Sequence, residues 1–100
     1  MLKKLVPGVI PPTITVFNED ETIDERRTRD HINFLIANGV HAIAPSGNTG
    51  EFIALTLEER KRLIELVIEE VNGRVPVYAG TAHYSTRRTI ELSKFAEKAG

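Results

Sequence analysis

Apolar positions along the chain follow two alternating rhythms. Short runs rich in Val, Ile and Thr occupy residues 9–17, 40–44 and 75–79, the signature of strands. Between them apolar residues recur at helical spacing. Asp24 is placed to cap a helix running to about Asn38, with Thr28, Ile32, Leu35 and Ile36 on one face and Gly39 as its stop. Thr56-Leu57-Glu58-Glu59 reads as a capping box. It opens a helix whose Ile64, Val67, Ile68 and Val71 fall at i, i+3, i+4 and i+7, ended by Asn72-Gly73. Glu58 and Arg62, four apart, are expected to pair on its exposed side. Ser85 is placed to cap a last helix with a face of Leu92, Phe95, Ala96 and Ala99, and Gly100 follows it. Pro11 and Pro12 lack amide donors, so they belong at the start of the first strand or at a bulge.

The order is βαβαβα, which predicts parallel strands joined by right-handed crossovers, in the spatial order 1-2-3. Three such strands leave two open edges. With crossovers of one hand, the helices cover only one face of the sheet, whereas parallel sheets are covered on both. The pattern therefore predicts an α/β fold in which residues 1–100 are the amino-terminal part of a single barrel domain. No linker or low-complexity segment divides it. As an isolated unit the chain is expected to be weakly folded and self-associating.

Composition adds mostly exclusions. With 41% hydrophobic and 27% charged residues and a net charge of −1, the chain has no basic surface calling for nucleic acid. There is no cysteine, hence no disulfide framework and no thiolate metal site. No run is apolar enough to span a membrane, and Pro7-Gly8 interrupts the basic start before any signal-peptide core. A cytoplasmic location is the expectation.

Candidate chemistry concentrates in the loop Ser46-Gly47-Asn48-Thr49-Gly50-Glu51, at the carboxyl end of the second strand. Ligands of α/β proteins bind at such ends. Gly47 and Gly50 allow tight turning and close approach, and Asn48 and Thr49 supply donors for a carboxylate or phosphate. A connecting loop that satisfies its own backbone has the same composition, and spacing leaves both readings open. His31, His41 and His83 match no local metal motif and read as packed or surface residues. His83 and Tyr84 follow Gly80-Thr81 at a strand end and are the better placed for a role. Lys61, Lys94, Lys98 and the Arg87-Arg88 pair read as solvated helix exteriors.

Four stretches, residues 10–17 (IPPTITVF), 47–51 (GNTGE), 55–60 (LTLEER) and 75–81 (VPVYAGT), resemble in order the dihydrodipicolinate synthase and N-acetylneuraminate lyase family. The resemblance implies the first three βα units of a (β/α)8 TIM barrel. It implies a class I aldolase, lyase or dehydratase that joins a lysine to a 2-oxo acid such as pyruvate as a Schiff base. It calls for no cofactor, and it implies a homotetramer. The Schiff-base lysine and a relay tyrosine are expected beyond residue 100, so no catalytic residue lies within these residues and the isolated chain is expected to be inert. Gly47, Asn48 and Thr49 match the loop that binds the substrate carboxylate, held by the Thr49 hydroxyl and the Asn48 and Thr49 amides. Where relatives carry a relay hydroxyl this chain has Asn48, which donates a hydrogen bond but does not readily pass a proton. Glu51 is expected to tether the loop by accepting amides. Leu57, Tyr84 and Arg88 stand where some biosynthetic members bind feedback lysine through His, Asn and Glu, so lysine inhibition is not expected. The same resemblance leaves open a sugar-acid dehydratase or 2-keto-3-deoxy sugar-acid aldolase. A different class, a non-catalytic partial-barrel assembly module, is the alternative outside enzymology.

Overall fold

The computed structural model describes residues 7–100. Its helices are α1 (Glu25–Ala37), α2 (Leu57–Val71) and α3 (Thr86–Ala99), with a 3₁₀ turn at Phe52–Ala54 before α2. Each α-helix begins where a side chain accepts an amide of the first turn. Asp24 accepts from Arg27 and Ser85 from Arg88. Thr56 and Glu59 form both bonds of the capping box, at 3.1 and 2.8 Å. Such caps satisfy donors that the helix cannot. After α1 and α2 the chain turns through Gly39 and through Asn72-Gly73, all with positive φ.

The second extended segment lies between the first and third and runs parallel to both, as the alternation predicts. Pro12 bridges Ala44, and Ile43 bridges Val77. The predicted strands, however, narrow to these single bridges. Proline is the cause. On the first segment, Thr13 donates to the Ala44 carbonyl and Pro11 accepts from the Ala44 amide, but Pro11 has no amide to extend the ladder. The next bond runs from His41 to the Val9 carbonyl, so two steps on one segment oppose three on the other. Of the two places expected for the prolines, a strand start or a bulge, this is the bulge, with the extra residue on the second segment opposite Pro11. On the third segment, Pro76 accepts from Ile43 and Tyr78 donates back to Ile43. A further bridge, antiparallel, joins Phe17 to Ile23 and closes the polar turn at 18–22.

The core forms where α1 and α2 cover the central segment. Ile32, Ile43, Leu55, Leu63, Val67 and Val71 are buried together, with Phe17, Ile23, Val40 and Val77 packed around them. The buried face of α2 is wider than the predicted stripe, because Leu63 and Leu66 are as buried as Ile64 and Val67. α2 packs against α1 and also against α3, where Leu92 is buried.

Two charge expectations are corrected here. Arg62 does not pair with Glu58. Its fork takes both carboxylate oxygens of Glu25 on α1, at 2.7 and 2.8 Å, and also Glu65 at 2.7 Å. A bidentate pair between helices has better geometry than one i,i+4 contact. The hydrogen bonds from Arg62 hold the Glu25 carboxyl below the usual carboxylate range. Lys61 is not a solvated exterior residue either. α3 folds over it, so that its ammonium meets Glu91 at 2.8 Å and lies near the Phe95 ring. Arg29 adds contacts to Glu69 and Glu70.

On α1 the Thr28 hydroxyl and His31 Nε2 are buried without a hydrogen-bond partner. Burial pushes the His31 imidazole below its ordinary value of 6.5. The folded state therefore favours neutral His31. Its contribution to stability is complete above the ordinary histidine value and is lost as pH falls below about 6.5 toward the depressed folded value. Glu25, Glu70 and Glu91 are also depressed, but their contributions fade only below the ordinary carboxylate range. Denaturant unfolding across pH 5.0–6.5 should show stability falling with pH, and His31→Gln should flatten that limb. An unchanged slope in the variant would assign the limb to other groups.

Candidate active site

The loop after the second segment is held from below and left open above. Ser46 is buried and adopts φ +61°. The Glu51 amide donates to the Asn48 carbonyl at 3.0 Å and the Phe52 amide to the Gly47 carbonyl at 3.4 Å, which closes the turn. Thr15 donates from its hydroxyl to the Gly50 carbonyl at 2.8 Å. Gly50 is needed for close approach to protein. A Cβ there would lie 3.1 Å from the Thr13 carbonyl oxygen. Gly47 faces open space, and the left-handed positions fall on Ser46 and Glu51 rather than on either glycine. The expected tether by the Glu51 carboxylate is not present among the described residues: as the cap of the 3₁₀ turn its side chain makes no bond, and its backbone, at φ +59°, holds the loop. Glu51 is exposed.

Asn48 and Thr49 are exposed at the tip. Among the described residues, neither amide donates to a protein acceptor and neither side chain makes a hydrogen bond. These two positions are therefore open to water or to a ligand rather than bonded within the loop. Gly47, Asn48 and Thr49 stay together on one turn, with unspent donors at the carboxyl end of the central segment.

Beneath the turn sits a residue that sequence reasoning missed. Arg60, in the first turn of α2, is 1% exposed. Its Nε donates to Ser46 Oγ at 3.0 Å, and one Nη donates to the carbonyls of Ser46 and Gly80, at 3.3 and 2.9 Å. The other Nη donates to the Ala82 carbonyl. The Phe52 ring lies 4.7 Å below the guanidinium. Burial lowers its pKa, but an arginine so placed stays charged, and four acceptors share its charge with no carboxylate among them. Its signal was present in the sequence: position 60 lies on the stripe of Ile64, Val67 and Val71, where a cation needs a partner.

The third segment closes against the same turn. The Gly80 amide donates to the Pro45 carbonyl at 2.8 Å. His83 is exposed, and its Nδ1 accepts from the Ser85 amide at 3.0 Å at the entry to α3. His41 likewise accepts the Val9 amide, at 2.9 Å. Tyr84 is exposed and, with Phe52, Leu57, Arg60 and His83, borders a shallow cleft beside the loop. Arg88 lies outside this cleft and pairs with Glu91. Lys94, Lys98 and Arg87 are exposed, as expected.

Parallel βα units that carry a donor-rich loop at a strand's carboxyl end are the building pattern of (β/α)8 barrel enzymes. The Dihydrodipicolinate synthetase family profile matches residues 5–100, and the chain belongs to that family. It is 46% identical over 96 residues to the 4-hydroxy-tetrahydrodipicolinate synthase of Methanopyrus kandleri, covering 95% of this chain and 32% of that protein. Among solved structures it is similar to YagE, a prophage protein of the dihydrodipicolinic acid synthase family from E. coli K12 in complex with pyruvate. That match has 42% identity and a TM-score of 0.94, over 97% of this chain and 33% of the other. It is also similar to the N-acetylneuraminate lyase of Mycoplasma synoviae, at 31% identity and a TM-score of 0.86, over 92% of this chain and 32% of that one. The chain spans about a third of the length of the curated relatives it matches. It forms the first three βα units of a TIM barrel of this lyase family. No described helix is long and apolar enough to cross a membrane.

Proposed function

We propose that these residues are the amino-terminal part of a single barrel domain in a Schiff-base-forming lyase or aldolase acting on pyruvate or a related 2-oxo acid, of the 4-hydroxy-tetrahydrodipicolinate synthase kind. The observation that carries this is the turn Gly47-Asn48-Thr49, with Asn48 and Thr49 exposed and their donors used by no protein group among the described residues. A carboxylate is the complementary ligand, since it accepts several hydrogen bonds and carries a charge. Fixing the carboxylate sets the neighbouring ketone carbon for attack by an amine, which converts a bimolecular encounter into a positioned one. The amine comes from elsewhere in the barrel, because the described lysines, Lys61, Lys94 and Lys98, all lie on helices. The pyruvate bound by YagE supports the same substrate class. In this reading the working form is a cytoplasmic homotetramer.

The test is borohydride trapping with pyruvate in a complete barrel that carries this segment, either its native full-length protein or a chimera finished with the remaining two thirds of the Methanopyrus relative. Mass spectrometry should show the reduced adduct on a lysine. Thr49→Ala should weaken pyruvate binding by about 1–3 kcal/mol, the usual effect of leaving a charged acceptor one donor short. Asn48→Ala should act in the same direction, raising KM more than it lowers kcat. Unchanged pyruvate affinity in Thr49→Ala, or no adduct in the parent, would reject the reading.

A further inference from the structure

We propose that Arg60 is a positioning residue for the substrate loop, setting its ligand affinity without touching the ligand. The inference rests on the reading of residues 47–49 as the carboxylate site.

Three observations carry it. First, Ser46 is held at φ +61°, a left-handed conformation that costs energy for a residue with a Cβ and persists only when its surroundings enforce it. Arg60 bonds both the hydroxyl and the carbonyl of that residue, so the enforcing group is identified. Second, the same guanidinium reaches Gly80 and Ala82 on the loop after the third segment. It therefore spans the carboxyl ends of two neighbouring segments and fixes their separation. Third, Arg60 is itself fixed, from behind by the capped first turn of α2 and from one face by Phe52. Ser46 directly precedes Gly47, so the orientation of the turn that presents Asn48 and Thr49 follows from the Ser46 backbone. Lysine cannot replace this arrangement. It has one nitrogen at the tip, whereas the bonds here leave from three nitrogens in a planar fork.

The test compares Arg60→Met and Arg60→Lys with Thr49→Ala in the complete barrel, together with the Arg60→Met/Thr49→Ala double variant. The readouts are KM and kcat for the 2-oxo acid and the fraction of protein trapped by borohydride at saturating pyruvate. Arg60→Met should raise KM about tenfold, the loss expected when hydrogen bonds to a charged group cease to hold the loop. The trapped fraction and kcat should change less than threefold. Arg60→Lys should recover only part of the affinity. In the double variant, the effects on KM should fall short of the product of the single effects, because both act through one loop. A variant whose trapped fraction falls while the KM of the remainder stays at the parent value would show a purely structural arginine and overturn the proposal. So would multiplicative effects in the double variant. Thr49→Ala separates this proposal from its premise. If Thr49→Ala leaves KM unchanged, the site reading fails. If Thr49→Ala raises KM and Arg60→Met does not, the positioning role alone fails. Should Arg60→Met not fold, Ser46→Ala removes the hydroxyl end of the network, and it should raise KM about threefold, with an unchanged KM counting against the proposal.

Discussion

Gly80→Ala is expected to destabilise the barrel by about 3 kcal/mol, the upper end of overpacking costs, and, on the proposed reading of the loop, to weaken 2-oxo acid binding at the same time. A Cβ at Gly80 would lie 2.4 Å from the Ser46 carbonyl oxygen, 2.8 Å from its carbon and 3.0 Å from the Gly47 Cα. All three are backbone atoms, so no side chain can swing away to make room. The two segment ends must separate, and the Gly80–Pro45 bond and the Arg60 contacts stretch with them. Gly47→Ala is the control, because its Cβ would meet open space. Thermal melts of the complete barrel should show a large loss for Gly80→Ala and almost none for Gly47→Ala. Equal melts would mean that the close approach of the two loops is not maintained in solution.

Ile43→Ala is expected to cost about 2–5 kcal/mol, the range for emptying a closed aliphatic site. Ile43 is fully buried, in the cluster of Ile32, Leu55, Leu63 and Val67. It also sits on the central segment, where its amide and carbonyl hold the third segment through Pro76 and Tyr78. The side chain can be removed without altering those backbone bonds. The loss should thus appear as a shifted denaturant midpoint with the loop still formed, and pyruvate affinity measured well below the transition should stay near that of the parent. A midpoint shift worth less than about 1 kcal/mol would show that the core collapses onto the cavity.

Local chemistry made the helices legible. Asp24, Thr56 and Ser85 each act within three residues of their own position, so their roles are written in the adjacent sequence. The parallel order of the segments was also legible, from alternation and crossover hand. Their length was not. Pro11 and Pro12 flagged interruption, but where a ladder slips depends on the partner strand, as the His41–Val9 bond shows; the effect of Pro76 was not read. Arg62 and Lys61 defeated a reading based on one helix, because Glu25 and Glu91 come from α1 and α3. In the site, Asn48 and Thr49 were legible as donors from residue type, but that the loop leaves them unbonded was not. Nor was the support under them. Ser46 and Gly80 meet across Arg60, a contact made only when α2 and two loops assemble. Glycine spacing suggested where the turn bends, yet the bend falls on Ser46 and Glu51, since the surrounding bonds compel a conformation that their own side chains disfavour.

The Arg60–Ser46 bond closes a ring of chain whose two ends are 14 residues apart. Such a ring has a fixed circumference. One residue added in the first turn of α2, between Thr56 and Arg60, would rotate the guanidinium by about 100° around the helix and aim it away from both loops. The turn at 18–22 has no such constraint. Among the described residues, Asn18, Asp20 and Thr22 bond only among themselves and to the adjacent backbone, at the carboxyl end of the first segment. Length changes can therefore enter at 18–22, while the stretch from Ser46 to Arg60 keeps its count.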